Sequence, residues 1–232
     1  MMMRELFYRY VLLVIGLFVM SLGVALSTKA SLGTSPISCI PYVLSLGFPV
    51  SFGWFTFYIN IVLIIAQIII LRRNFRLIQL LQLAAVVVFS VFTDLTMHMV
   101  SGIQANSWFL QWLLLAASNI VLAMGIGLEV TANVTMLPGE GFVMAVSKVF
   151  HKEFGQVKVV FDISLVAIGM LVSFYLFYRL NGVREGTIAA SLSLGIIVRY
   201  FIKIFQPLDG RLKSKAVKDN FKLGKICDTA ET

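Results

Sequence analysis

Apolar residues dominate six long stretches of the chain, near 10–28, 52–71, 77–99, 109–130, 157–178 and 187–205. Each is about 20 residues long, the length a helix needs to cross roughly 30 Å of hydrocarbon, so six membrane spans are predicted. Two shorter apolar segments, 36–48 and 138–150, have about 13 residues, the length class of a re-entrant or interfacial helix. Residues 23–67 also repeat themselves 102 positions later without a gap. Gly23, Leu26, Ala30, Pro36, Ser45, Phe48, Phe52, Gly53, Ile61 and Leu63 recur as Gly125, Leu128, Ala132, Pro138, Ser147, Phe150, Phe154, Gly155, Ile163 and Leu165. Gly, Pro and Ser do not interchange freely with Leu, so their falling into register marks a duplicated unit rather than shared hydrophobicity.

The two short segments decide the topology. If each enters and leaves by one side, each unit crosses three times and the second is inverted relative to the first. If each spans, the units cross four times and lie parallel. Basic residues separate the two schemes, because cytoplasmic loops carry the excess of Lys and Arg. With six spans and an internal N-terminus, Arg4, Arg9, Arg72, Arg73, Arg76, Lys148, Lys152, Lys158, Lys203 and six basic residues of the tail lie inside. Only Lys29, Arg179 and Arg184 lie outside, with Arg199 in a span, whereas eight spans would export the Arg72, Arg73 and Arg76 cluster. The reading is an all-α membrane protein of six transmembrane helices plus two re-entrant half-helices, built as two inverted-topology repeats. Residues 1–205 form one transmembrane domain, with repeats at about 8–100 and 108–205, and residues 206–232 form a basic cytoplasmic tail. Two alternatives stay open: a cleaved signal peptide at the first stretch, and surface-lying helices at the short ones, 138–150 above all.

Composition narrows the class. Apolar residues make up 59% of the 232, charged residues 13%, and mean hydropathy is +0.93, which leaves too little polar surface for a water-soluble globule. The net charge of +8 follows from the topology and brings no nucleic-acid recognition module with it.

Each short segment opens with helix-start residues. In Gly33-Thr34-Ser35-Pro36 a hydroxyl stands at the N-cap and proline at the first helical position. Leu137-Pro138-Gly139-Glu140-Gly141 keeps the proline and replaces the cap by glycines and a carboxylate. The runs LGTSPISCIPYVLS at 32–45, LPGEGFVMAVSKVF at 137–150, FGQVKVVFDISLVAIG at 154–169 and GTIAASLSLGIIVRYF at 186–201 resemble the YczE/YyaS/YitT-type family of bacterial integral membrane proteins. That resemblance implies a multi-pass protein of the bacterial cytoplasmic membrane and a transporter-like role. It carries no catalytic or binding residue.

Ionisable residues inside spans each cost about 2.5–3.5 kcal/mol on insertion scales, so they need partners or water. Asp94 is the most deeply placed acid, Asp162 occupies the repeat position of Asn60, Glu129 closes the span 109–130, Glu140 opens the second short helix, and Arg199 lies in the last span. The plainer readings are a Lys158–Asp162 pair, an Asp94–His98 hydrogen bond, a solvated Glu129 and an Arg199 beside headgroups. The expected substrate-binding residues are Ser35, Ser38, Asn60, Asp94, Glu140, Asp162 and Arg199, between the repeats. If transport is proton coupled, Asp162 or Asp94 is the expected titrating group.

Hydrolase, metalloprotease, ATPase and dinucleotide motifs are all missing from the chain. Two histidines and two distant cysteines give no metal pattern, so no enzyme activity, metal or cofactor is expected. The function expected is a small-solute transporter or channel. The alternatives are a membrane-embedded binding subunit that needs a partner ATPase, or a membrane regulator. Expected partners are membrane lipids, a small solute and, as an option, a second copy in a homo-oligomer, with both termini cytoplasmic.

Overall fold

A computed structural model describes residues 2–72, 75, 77–152, 154–179, 181–182 and 184–212. Among the described residues the chain forms α1 (Met2–Lys29), α2 (Pro36–Gly47), α3 (Phe52–Leu71), α4 (Leu81–Met99), α5 (Trp108–Ala132), α6 (Pro138–Phe150), α7 (Phe154–Phe177) and α8 (Glu185–Leu212). All but α2 and α6 contain apolar stretches of 19 to 25 residues, long enough to cross a membrane. The chain therefore has the six long apolar helices of a multi-pass membrane protein. The third span starts later than the hydropathy suggests, because Leu77–Leu80 forms a 3-10 turn ahead of α4. Helix α8 runs on to Leu212, past the expected boundary at 205. The rest of the tail, 213–232, lies outside the described residues.

Helix starts keep the register of the sequence repeat. Pro36 and Pro138 open α2 and α6, and Phe52 and Phe154 open α3 and α7, both pairs 102 residues apart. Ser35 (φ −62°, ψ 149°) and Leu137 (φ −62°, ψ 151°) are extended, as the ring of a following proline requires. Ser51 caps α3 by accepting the Trp54 N–H at 3.2 Å. Ser35 sits at the expected N-cap, but its Oγ donates to Ser38 Oγ at 3.0 Å and makes no cap bond.

Helices α1 and α5 form the central seam. Arg9 Nη1 donates to Ala132 O at 3.0 Å, Gly16 lies against Gly125 and Glu129, Gly23 against Leu122, and Leu32 clusters with Leu115. As numbers rise along α1 they fall along α5, so the two run antiparallel. Glycine lets them approach to backbone contact: a Cβ at Gly23 would stand 2.6 Å from Leu122 N, and one at Gly125 would stand 2.5 Å from Met20 N. Leu13, Leu17, Met20 and Val24 of α1 join Val86 and Phe89 of α4 and Leu122 of α5 in one apolar cluster.

The second cluster holds the short helices. Cys39, Ile40 and Val43 of α2 pack with Val143 of α6, Leu63 of α3 and Phe161, Leu165 and Val166 of α7. The Cys39 Sγ–H donates to Leu165 O at 3.3 Å, and Gly47 faces Leu176 and Phe177. Helix α2 thus runs alongside α7 in the same direction, starting halfway along it. A Cβ at Gly139 would fall on Ile37 Cδ1, so the first turns of α2 and α6 meet. The link ahead of α2 turns through Gly33 (φ 106°), where a side chain would strike Thr187 and Arg184, and the Gly186 N–H donates to Leu32 O at 2.8 Å.

Gly23→Val is expected to lower stability by about 1–3 kcal/mol, because the seam has no room for the added methyl groups. Denaturant unfolding of the purified protein in detergent measures this, and an unchanged midpoint would refute backbone contact at the seam.

Candidate functional site

The first turn of α6 lies in a group of buried polar side chains drawn from four other helices. Glu129, on the last turn of α5, is only 2% exposed, and its Oε1 accepts the Leu137 N–H at 2.8 Å. That bond satisfies a backbone donor just ahead of the helix, where α6 has no capping side chain of its own. Gln67 of α3 and Gln82 of α4 are buried and joined amide to amide at 3.3 and 3.4 Å, and Gln67 Nε2 also donates to Pro138 O at 3.0 Å. Gly141 passes beside this pair, where a Cβ would stand 2.9 Å from Gln67 Oε1. Arg9, 5% exposed, reaches from α1 to Ala132 O, one turn from Glu129.

Glu140 occupies the third position of α6, where a carboxylate complements the positive end of the helix dipole. Its Oε2 is sealed from solvent and meets no hydrogen-bond donor among the described residues. A buried carboxylate oxygen without a donor is costly, so this atom is the unsatisfied group of the cluster.

The first turn of α2 has a neutral counterpart. Ser27 Oγ and Thr34 Oγ1 share a hydrogen bond at 3.0 Å, Ser35 donates to Ser38, and the Cys39 Sγ–H also donates to Pro36 O at 2.9 Å. All five are buried. Ser27 stands 102 residues before Glu129 and Ser38 stands 102 before Glu140. Positions 102 residues apart therefore carry hydroxyls ahead of and in the first turn of α2, and carboxylates ahead of and in the first turn of α6.

Residues 7–203 match the model of a family of unknown function, DUF6198. The chain belongs to that family. No curated protein and no solved structure matches it.

In this DUF6198 chain the expected site residues divide. Ser35, Ser38 and Glu140 lie on the first turns of α2 and α6, whose ends meet. Asp162 is near enough for its charge to act on Cys39, and its Oδ1 accepts from Lys158 Nζ at 2.7 Å. Asn60, at the repeat position of Asp162, is buried and donates to Thr56 O at 2.8 Å.

Asp94 and Arg199 stand apart. Asp94 Oδ1 accepts the Gly53 N–H at 2.7 Å and Oδ2 accepts from Ser51 Oγ at 2.5 Å, so the carboxylate holds the start of α3 instead of pairing with His98. That start is 14 residues from Gln67, about 21 Å along a helix. Arg199 is on the exposed face of α8 and does not join Glu140 and Asp162.

Sequence reading missed Gln67, Gln82 and Arg9, and left Glu129 between an in-span acid and a solvated one; it is buried. The signal for Gln67 was available: it is the one polar residue in IVLIIAQIIIL. Gln82, Arg9 and Glu129 sit within a few residues of helix ends, where solvation is the default expectation.

Asp94→Ala is expected to destabilise the protein by about 1 kcal/mol or more, through loss of the donors it holds at the start of α3. Arg199→Gln is expected to stay within about 0.5 kcal/mol of the parent. Parallel unfolding curves compare the two, and equal losses would refute the assignment.

Proposed function

We propose that the chain is a small-solute transporter or channel without ATPase chemistry, built from two inverted repeats whose half-helices α2 and α6 are re-entrant. The observation that carries this reading is the meeting of their first turns, Ile37 on Gly139, with polar side chains buried beside both. Helices of 12 and 13 residues reach about 18 and 20 Å, too short to cross alone. End to end they make one composite crossing. The antiparallel α1–α5 seam supports an even number of crossings between those helices, which the two spans α3 and α4 with a returning α2 provide. The parallel course of α2 and α7, with Gly47 beside Leu176, supports the same side for the ends of both. Off-ladder backbone at that depth is tolerated where protein buries it or water reaches it, as in transporters with broken helices.

The basic residues favour an internal N-terminus and hence a cytoplasmic face for the Arg9, Glu129 and Glu140 cluster. The likeness to the YczE/YyaS/YitT-type family fits a bacterial cytoplasmic membrane and the same transporter-like role. Under this reading the solute passes the α2–α6 junction, lined by hydroxyls from α2 and by Glu140 and the glutamines around α6.

Two experiments test the reading. In a chain whose Cys39 and Cys227 are replaced by serine, Phe48→Cys is expected to react with an impermeant maleimide from outside the cell only, and Phe150→Cys from inside only. Labelling of Phe48→Cys from inside would mean that α2 crosses. In proteoliposomes, osmotic swelling with glycerol, urea, glycine, alanine and guanidinium is expected to be several-fold faster than in protein-free vesicles for at least one solute, and slowed by Gly139→Val. No acceleration for any of them overturns the transport reading, and acceleration only with an added ATPase replaces it by a partner-dependent binding subunit.

A further inference from the structure

Three basic side chains stand on the side of the bundle where α7 ends and α8 begins, and two of them are in use. Lys29 Nζ donates to Ser101 O at 3.5 Å, while Arg184 donates to Ser31 O at 3.0 Å and pairs with Glu185 at 3.3 Å. Arg179 is exposed, and its guanidinium makes no hydrogen bond or ion pair among the described residues. Its backbone is nevertheless fixed. Tyr178 closes α7 in the left-handed conformation (φ 54°), and the buried Ser173 Oγ meets Arg179 O and Asn181 O at 3.0 Å each and accepts the Asn181 N–H at 2.7 Å.

That turn carries the guanidinium to one end of an open groove of about 640 Å³, whose other lining residues are Ala167, Met170, Leu171 and Phe174. Their spacing makes one helical face, opposite the face on which Phe161 and Leu165 meet the short helices. From Ala167 to the end of the apolar stretch at Phe177 is 10 residues, about 15 Å of helix, or half of a hydrocarbon core of roughly 30 Å. A spanning helix of another chain would lie along the whole of α7, whereas a lipid tail occupies one leaflet. Tyr175 and Tyr178, 82% and 84% exposed, stand beside the mouth of the groove, at the level that headgroups occupy.

Charge selects the lipid. A guanidinium grips a phosphate through parallel N–H donors, and one uncompensated cation is matched by a headgroup carrying one net negative charge. A zwitterionic headgroup would bring an ammonium as well, and the acids on this side are occupied: Glu185 by Arg184, and Asp94 by Ser51 and the Gly53 N–H. We propose that the groove on α7 binds one acyl chain of an anionic phospholipid whose phosphate is held by Arg179. The site is independent of any transported solute.

Native mass spectrometry of the purified, delipidated full chain in a neutral detergent, titrated with phosphatidylglycerol or with phosphatidylcholine of the same acyl chains, tests this. The wild type is expected to retain one phosphatidylglycerol several-fold more strongly than phosphatidylcholine. Arg179→Gln should erase that preference, and Ala167→Trp, which fills the deep end of the groove and leaves the guanidinium, should weaken retention of both lipids. Arg199→Gln, which removes an exposed cation of α8, should leave the preference intact. Both groove positions are exposed and the carbonyl held by Ser173 survives substitution, so the fold is kept. Equal retention of the two lipids by the wild type, an undiminished preference in Arg179→Gln or unchanged retention in Ala167→Trp overturns the site. Loss of the preference in Arg199→Gln alone overturns it in favour of α8. Displacement of the lipid by inorganic phosphate at equal concentration would make it a phosphate site, and a wild-type dimer that Ala167→Trp turns into a monomer would give the groove to a second copy; either result overturns the lipid assignment.

Discussion

The hydrogen bond from the Leu137 N–H to Glu129 expresses the constraint on which the rest of the molecule turns: backbone donors away from water need partners supplied by the protein. A helix of 12 or 13 residues that starts halfway along its neighbour places its leading amides where solvent does not reach. The chain answers this twice. Proline removes one donor from each first turn, and Glu129 of the preceding long helix accepts the Leu137 N–H of the second link, whereas Ser27 meets the Thr34 hydroxyl of the first. Those links stay in place because the long helices α1 and α5 are locked through Gly16, Gly23 and Gly125. The closeness of the seam therefore fixes the position of both short helices.

The two answers differ in chemistry, and the difference organises the candidate site. Around α2 the groups are hydroxyls and a thiol that satisfy one another: Ser27 with Thr34, Ser35 with Ser38, Cys39 with Pro36 O and Leu165 O. Around α6 the corresponding groups are two carboxylates, two amides and a guanidinium, and one carboxylate oxygen is left over. Here one end is neutral and saturated and the other is charged and unsaturated.

Much of the fold was legible in the sequence because it rests on local rules. Apolar length marks the six long helices, and proline with the 102-residue register marks the starts of α2, α3, α6 and α7. The site was legible only in part. Glu140, Ser35 and Ser38 announce themselves through helix-start grammar. Asp94 does not reveal that it caps a helix 41 residues away in sequence, nor Glu129 that it bonds a loop eight residues on, since both roles depend on how helices lie against one another. Arg199 misled for the converse reason: a charge inside an apolar stretch implies an inward partner, yet α8 turns it outward.

The same inequality extends to packing. Helix α4 lies beside α1 and helix α8 beside α5, but 39% of the apolar α4 stretch is buried against only 6% for α8. Helix α3 packs along α4, whereas α7 and α8 scarcely touch, and an open groove at Ala167, Met170, Leu171, Phe174 and Arg179 marks that side of α7. Loosely packed elements carry the lower cost of rearrangement. A shift of α7 against α8 then costs less than one of α3 against α4. A displacement of α7 would reach both short helices, α6 through Val143 against Phe161 and Leu165, and α2 through Cys39, whose thiol donates to Leu165 O.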